Sequence, residues 1–220
     1  MDNEQRLIVE GKDGYVISSI MRKQKIPFPK GYNGNNINKF IINAGGFSKI
    51  KTALIEELQS PNVSNIGIIV DANDVGAIPR FESLQNIIEE TLEIIFPKEA
   101  ILTENGFGFQ LLDNLFIGIW IMPDNVNNGY LEHFISNLIP NDNLVWQFAN
   151  EKIEEILTTD FCEFSAAKKQ KALVHTYLAL KESPGMPMGT SILANYFDAT
   201  LPYSDRLVNW IKNTFVLEEK

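Results

Sequence analysis

Two acidic strand ends carry the chemistry open to this sequence. Leu7-Ile8-Val9 runs into Glu10-Gly11-Lys12-Asp13, and Ile66-Gly67-Ile68-Ile69-Val70 runs into Asp71-Ala72-Asn73-Asp74. In an open α/β sheet, ligands gather just beyond the carboxyl ends of the strands. Carboxylates delivered there by neighbouring strands can hold Mg²⁺ or Mn²⁺, because hard cations take oxygen donors. A cation so held, with a group that manages a proton, is what phosphoryl hydrolysis requires. Glu10 and Asp71 are therefore expected as metal ligands and catalytic groups, with Asn73 and Asp74 beside them. A single strand-end acid is commonplace; two, with the Asp cluster one βα unit further on, favour a shared site.

These acids must be positioned by alternating strands and helices. Arg6–Glu10 reads as a strand, Gly14–Lys25 as a helix with Val16, Ile17, Ile20 and Met21 inward, and Gly31–Asn38 as a loop. Lys39–Asn43 reads as a strand and Phe47–Leu58 as a helix, followed by the continuously apolar strand Ile66–Val70, a pattern expected of burial on both faces. A helix over Arg80–Ile95 places Phe81, Leu84, Ile88 and Ile95 on one stripe. Gly106–Leu111 and Asn114–Ile121 read as an antiparallel hairpin, followed by a helix over Tyr130–Leu138. Beyond Asp142 only helices are expected: Asn143–Leu157, Ser165–Lys181 and Tyr203–Phe215, with a Pro/Gly-rich break at Ser183–Gly189. The expected architecture is an α/β domain over residues 1–140, its sheet mostly parallel, and a helical C-terminal extension over 141–220.

Composition narrows the function classes. The 220 residues are 45% hydrophobic and 21% charged, an ordinary globular balance. No apolar run approaches a membrane span, and Met1-Asp2-Asn3-Glu4 lacks the start of a secretory leader, so no membrane partner and a cytoplasmic address are expected. Cys162 is the single cysteine, which excludes an internal disulfide and a cysteine-based zinc site. The charge of −9 argues against a large nucleic-acid surface, though clustered lysines can make a local one. No Gly-x-x-x-x-Gly-Lys-Ser/Thr loop is present, so the chain is not its own P-loop ATPase, and no Gly-x-Ser-x-Gly elbow points to acyl transfer.

The strand running into Glu10-Gly11-Lys12-Asp13 resembles the first motif of the toprim domain, and Val70–Asp74 resembles its Asp-x-Asp motif. Gly118-Ile-Trp-Ile-Met-Pro-Asp-Asn125, with Gly129 and Leu131-Glu132, is similar to small stand-alone toprim proteins. Those are related to the nuclease domains of the overcoming-lysogenisation-defect family and are often encoded beside an ATPase. The resemblance implies a toprim-like Rossmannoid core, a magnesium-dependent nuclease acting on DNA or RNA, and an effector role beside an ATPase partner in phage defence. A homo-oligomer is also compatible with it. The chain departs from the pattern at Asn73, a neutral donor where the motif has its second Asp; Asp74 is the neighbouring substitute.

Asp124, after the strand Phe116–Ile121, either reaches the same edge as a metal ligand, as the resemblance implies, or caps a Pro-Asp-Asn turn. Lys168, Lys171 and His175 share one helical stripe, which reads either as a solvated face or as a phosphate-neutralising one. Lys171 is the preferred catalytic lysine, with Lys168 and Lys12 as phosphate-binding candidates. Glu132 reads mostly as a first-turn helix acid, its alternative being a supporting role behind the site's ligands. His133 carries no zinc spacing, and Trp120, Trp146 and Trp210 read as core. The reading is a toprim-type nuclease; its alternative is a catalytically weak or inactive toprim-derived subunit that regulates an ATPase.

Overall fold

The computed structural model describes residues 3–11, 13–97 and 99–218. Five strands form one sheet: β1 (Glu4–Val9), β2 (Ile41–Asn43), β3 (Val63–Asp71), β4 (Phe107–Leu112) and β5 (Leu115–Met122). Their spatial order is β2-β1-β3-β5-β4, with β1, β2, β3 and β5 parallel and β4 antiparallel at one edge. The fold class is thus α/β with a mostly parallel sheet. The antiparallel pair follows from the short Asp113-Asn114 turn, which reverses the chain without a crossover.

The alternation of side chains along the strands assigns the two faces. Ile8, Ile66, Ile68, Val70, Ile117, Ile119 and Ile121 point to one face and are covered by α3 (Ile50–Leu58) and α4 (Ala77–Leu92), through Leu54, Phe81, Leu84 and Ile88. Leu7, Val9, Ile69, Trp120 and Met122 point to the other. That face is covered by α1 (Asp13–Lys23) and by the later helices α5 (Leu131–Ser136), α6 (Leu144–Leu157), α7 (Lys169–Ala179), α8 (Met188–Leu193) and α9 (Asp205–Thr214). The helices after Pro140 therefore share one core with the sheet. Each fully buried aliphatic side chain contributes about 1.5–3 kcal/mol on transfer from water.

Glycines let α9 press onto the strands. Gly67 and Gly118 are register partners on β3 and β5, and Gly118 in turn faces Gly108 on β4. A Cβ on Gly67 would lie 2.6 Å from the Phe215 ring, and one on Gly118 would lie 2.5 Å from Thr214 Oγ1. Trp210 seals this contact by donating its indole N–H to the Phe107 carbonyl at 3.0 Å.

Several boundaries differ from the sequence reading. The second strand begins at Ile41, because Ile37–Phe40 forms a short helix, α2, that buries Phe40. The helix expected from Arg80 starts at Ala77, since Pro79 sits in the first turn, where its missing N–H costs nothing. It ends at Leu92, where Glu93 adopts φ +54°, so Ile95 leaves the buried stripe and is 90% exposed. Part of the expected Pro/Gly break is helical: Pro187 leads into α8, which lies against α1.

Candidate active site

Parallel pairing fixes the relation of the two acidic strand ends. Val9 pairs with Ile69, so Glu10 and Asp71 leave adjacent strands at the same edge. Glu10 donates its backbone N–H to the Ile69 carbonyl at 3.0 Å, and its Oε2 accepts the Asp71 N–H at 3.1 Å. Asp71 Oδ1 accepts the Leu131 N–H at 3.1 Å, tying β3 to the start of α5. Each carboxylate thus spends one oxygen on a backbone donor and keeps the other.

Two further acids complete the group. Asp13, at the start of α1, is buried, and among the described residues its Oδ2 has no hydrogen-bond partner. Glu132 is likewise buried and faces the Lys171 ammonium at 3.5 Å. Burial, followed by the charges of Glu10 and Glu132, pushes the Asp13 carboxyl up to about 6. Burial again leads for Asp71, with the charges of Asp13, Glu10 and Glu132 behind it, and raises its carboxyl to about 8. Carboxylates that share a poorly hydrated pocket hold protons well above their usual range unless a cation relieves them. Among the described residues Lys171, itself well exposed, is a cation that faces this pocket, and its charge lowers Asp13.

The remaining sequence candidates lie elsewhere or play other parts. Asn73 adopts φ +50° and forms a two-way backbone bridge with Gly129, donating at 2.6 Å and accepting at 3.0 Å. Asp74 is exposed, and its carbonyl accepts from the Asn128 side chain at 3.4 Å. Asp124 closes its own turn: it accepts from Val126 N, Asn127 N and Asn127 Nδ2 at 3.2, 2.8 and 2.8 Å, and from the Tyr203 hydroxyl at 3.3 Å. Those bonds hold its carboxyl below the usual range against the opposing effect of burial. Lys168 is exposed just before α7, and Lys12 lies outside the described residues. His133 accepts the Tyr130 N–H through Nδ1 at 3.3 Å as part of a helix cap, and burial lowers its pKa.

Asp13 was visible in the sequence only as the end of a motif, and Glu132 mainly as a helix acid closing the third resembling segment. Their burial depends on the later helices closing over this edge, a contact that no local pattern reveals. Among the described residues no three acidic, histidine or cysteine side chains are gathered as a ready-made metal cage.

The fold and this edge define an α/β protein with a buried acidic pocket at the carboxyl ends of β1 and β3. The chain belongs to the family described as protein of unknown function DUF3226, whose model matches residues 4–216. No curated protein and no solved structure matches it.

Proposed function

We propose that the chain is a divalent-cation-dependent nuclease of toprim type that hydrolyses phosphodiester bonds in DNA or RNA. The observation that carries this reading is the meeting of Glu10, Asp13, Asp71 and Glu132 at one strand edge, with Lys171 as the facing cation. The donor set fits Mg²⁺ or Mn²⁺: it is all oxygen, and the buried Asp13 Oδ2 lacks a partner among the described residues. Mg²⁺ needs only one or two carboxylates and keeps several waters, so a closed cage is not required.

Asp71 Oδ2 and Asp13 Oδ2, the oxygens without backbone bonds, would hold the cation. When bound, it supplies Lewis-acid polarisation of the phosphate. Glu10 is fixed by the Asp71 N–H through Oε2, leaving Oε1 to take the proton of the attacking water. Lys171 offsets negative charge developing on the phosphate, and Glu132 positions its ammonium.

Cleavage of plasmid DNA and of total tRNA with Mg²⁺ or Mn²⁺, wild type against Glu10→Gln, tests this reading. Metal-dependent cleavage lost in the variant supports it. Absence of both cleavage and metal binding sinks it.

A second reading draws on a different surface. Leu144 and Phe148 on α6, with Phe161 beyond it, are 77%, 50% and 73% exposed, an apolar display suited to a protein partner. With the neutral Asn73 in the acidic motif, this favours a toprim-derived subunit that binds and regulates an ATPase. Such a subunit would tolerate Glu10→Gln and lose its partner on Leu144→Asp or Phe148→Asp.

A further inference from the structure

Two clefts open along α1, the helix that begins at Asp13. The smaller, about 260 Å³, is walled by Val9, Gly11 and Gly14, the residues that flank Glu10 and Asp13, with Asn38 and Asn43 opposite. The larger, about 650 Å³, runs on between α1, His175 of α7 and the segment Gly185–Leu193. The two share Tyr15, Ser18 and Ile37, so they adjoin along α1 as a two-part groove.

The groove is tied to the catalytic edge along both walls. On α1, Tyr15, Ser18 and Arg22 fall at i, i+3 and i+7, one face of the helix that begins at Asp13. On α7, His175 lies one turn beyond Lys171 on the same face. The third wall is set close by Gly189, where a Cβ would lie 2.8 Å from the Tyr15 carbonyl. Tyr15 is 76% exposed despite its place in the groove. Its ring thus offers an uncovered aromatic face, and Arg22 and His175 offer donors to phosphate beyond it. Asn43 uses Oδ1 on the Gly45 N–H at 2.9 Å, which leaves its Nδ2 to donate.

We infer that this groove receives a single-stranded segment of the substrate, with one unpaired base stacked on Tyr15 and its phosphodiester led to the carboxylates. This rests on the nuclease reading above and names its substrate class. An aromatic face binds a base only when that base is free of its stack, and a duplex offers no such face. Binding of this kind is tolerant of sequence, because every base has a face to stack, and Arg22 and His175 supply the donors that track the backbone.

The test uses full-length Glu10→Gln protein with Mg²⁺ and short fluorescein-labelled strands of DNA and RNA, each alone and annealed to its complement. Fluorescence anisotropy should show at least one single strand bound about tenfold or more tighter than its duplex. Adding Tyr15→Ala should weaken that binding roughly tenfold, and Tyr15→Phe should retain it. Equal or tighter binding of duplex, indifference to Tyr15→Ala, or no binding of either strand overturns the inference. Hydrolysis of bis(p-nitrophenyl) phosphate by the wild type separates the two readings, since that ester needs the carboxylates and not the groove. Metal-dependent hydrolysis without strand preference removes the groove alone. Tyr15-dependent strand binding without any such hydrolysis removes the nuclease and leaves the groove.

Discussion

The Glu10 side chain caps the backbone of Asp71, accepting its N–H at 3.1 Å across the β1–β3 pair. The acid of one strand end thus fixes the direction in which the next strand leaves the sheet. Glutamine at position 10 can accept the same bond through its amide oxygen. Glu10→Gln is therefore expected to keep the fold while lowering metal-dependent cleavage by about a hundredfold or more, the scale of losing a general base. Circular dichroism beside a cleavage assay checks both halves.

Protonation of the pocket sets a pH dependence. An unfolded aspartate titrates near 3.9, whereas Asp13 and Asp71 titrate at about 6 and about 8 in the folded chain. The folded state thus binds more protons through this interval, and its stability from these groups is full below about pH 4 and lost as pH rises through both values. Melting temperature measured with chelator should fall from about pH 5 to about pH 9, and Asp71→Asn should flatten the fall. Added Mg²⁺ or Mn²⁺ should restore most at the alkaline end.

Lys171 faces a buried acid from an exposed position, so its contributions to stability and to chemistry should separate. Lys171→Ala should cost no more than about 1 kcal/mol in urea denaturation, as exposed partners do. Its effect on cleavage should be larger, roughly tenfold to a hundredfold, with partial recovery in Lys171→Arg. Equal small effects on both would remove it from the catalytic group.

The glycine contact beneath α9 leaves no room for a methyl group. Gly118→Ala should destabilise by about 1–3 kcal/mol, because a Cβ would lie 2.5 Å from Thr214 Oγ1. Thr214→Ala, which removes the Oγ1 and Cγ2 atoms nearest that position, should recover part of the loss in the double variant. Urea midpoints of the four proteins form the required cycle.

Cutting the chain after Pro140 should not yield a folded α/β unit. Leu7, Val9, Ile69 and Trp120 would lose the cover of α6 to α9 and present an apolar sheet face to water. Aggregation, or loss of a cooperative melt, is the expected outcome for the fragment; a sharp melt would show that the sheet needs no later helices.

The sheet was legible because β3 and β5 are apolar on both faces, and runs such as Ile66–Val70 admit few other folds. The pairing of Glu10 with Asp71 followed from two such runs each ending in an acid. Less legible was whatever depended on distant contacts. Asp13 and Glu132 look like ordinary helix-start acids until α7 and the sheet edge enclose them. Asp124 admitted two readings in the sequence, and its bonds to residues 126 and 127 are local, whereas the Tyr203 hydroxyl arrives from the far end of the chain. The α8 helix was hidden because its short apolar segment follows Pro184, Gly185 and Pro187, which locally signal a break.

The Gln5 side chain clasps Val216 in both directions, donating to its carbonyl at 3.0 Å and accepting its N–H at 2.7 Å. Residues 5 and 216 consequently lie side by side where β1 begins, while Glu10 stands where it ends, about 17 Å away along five steps of strand. A bead, a surface or a fused protein attached through either of these neighbouring positions would sit behind the sheet. The edge that carries the carboxylates would then face outward, open to whatever arrives from solution.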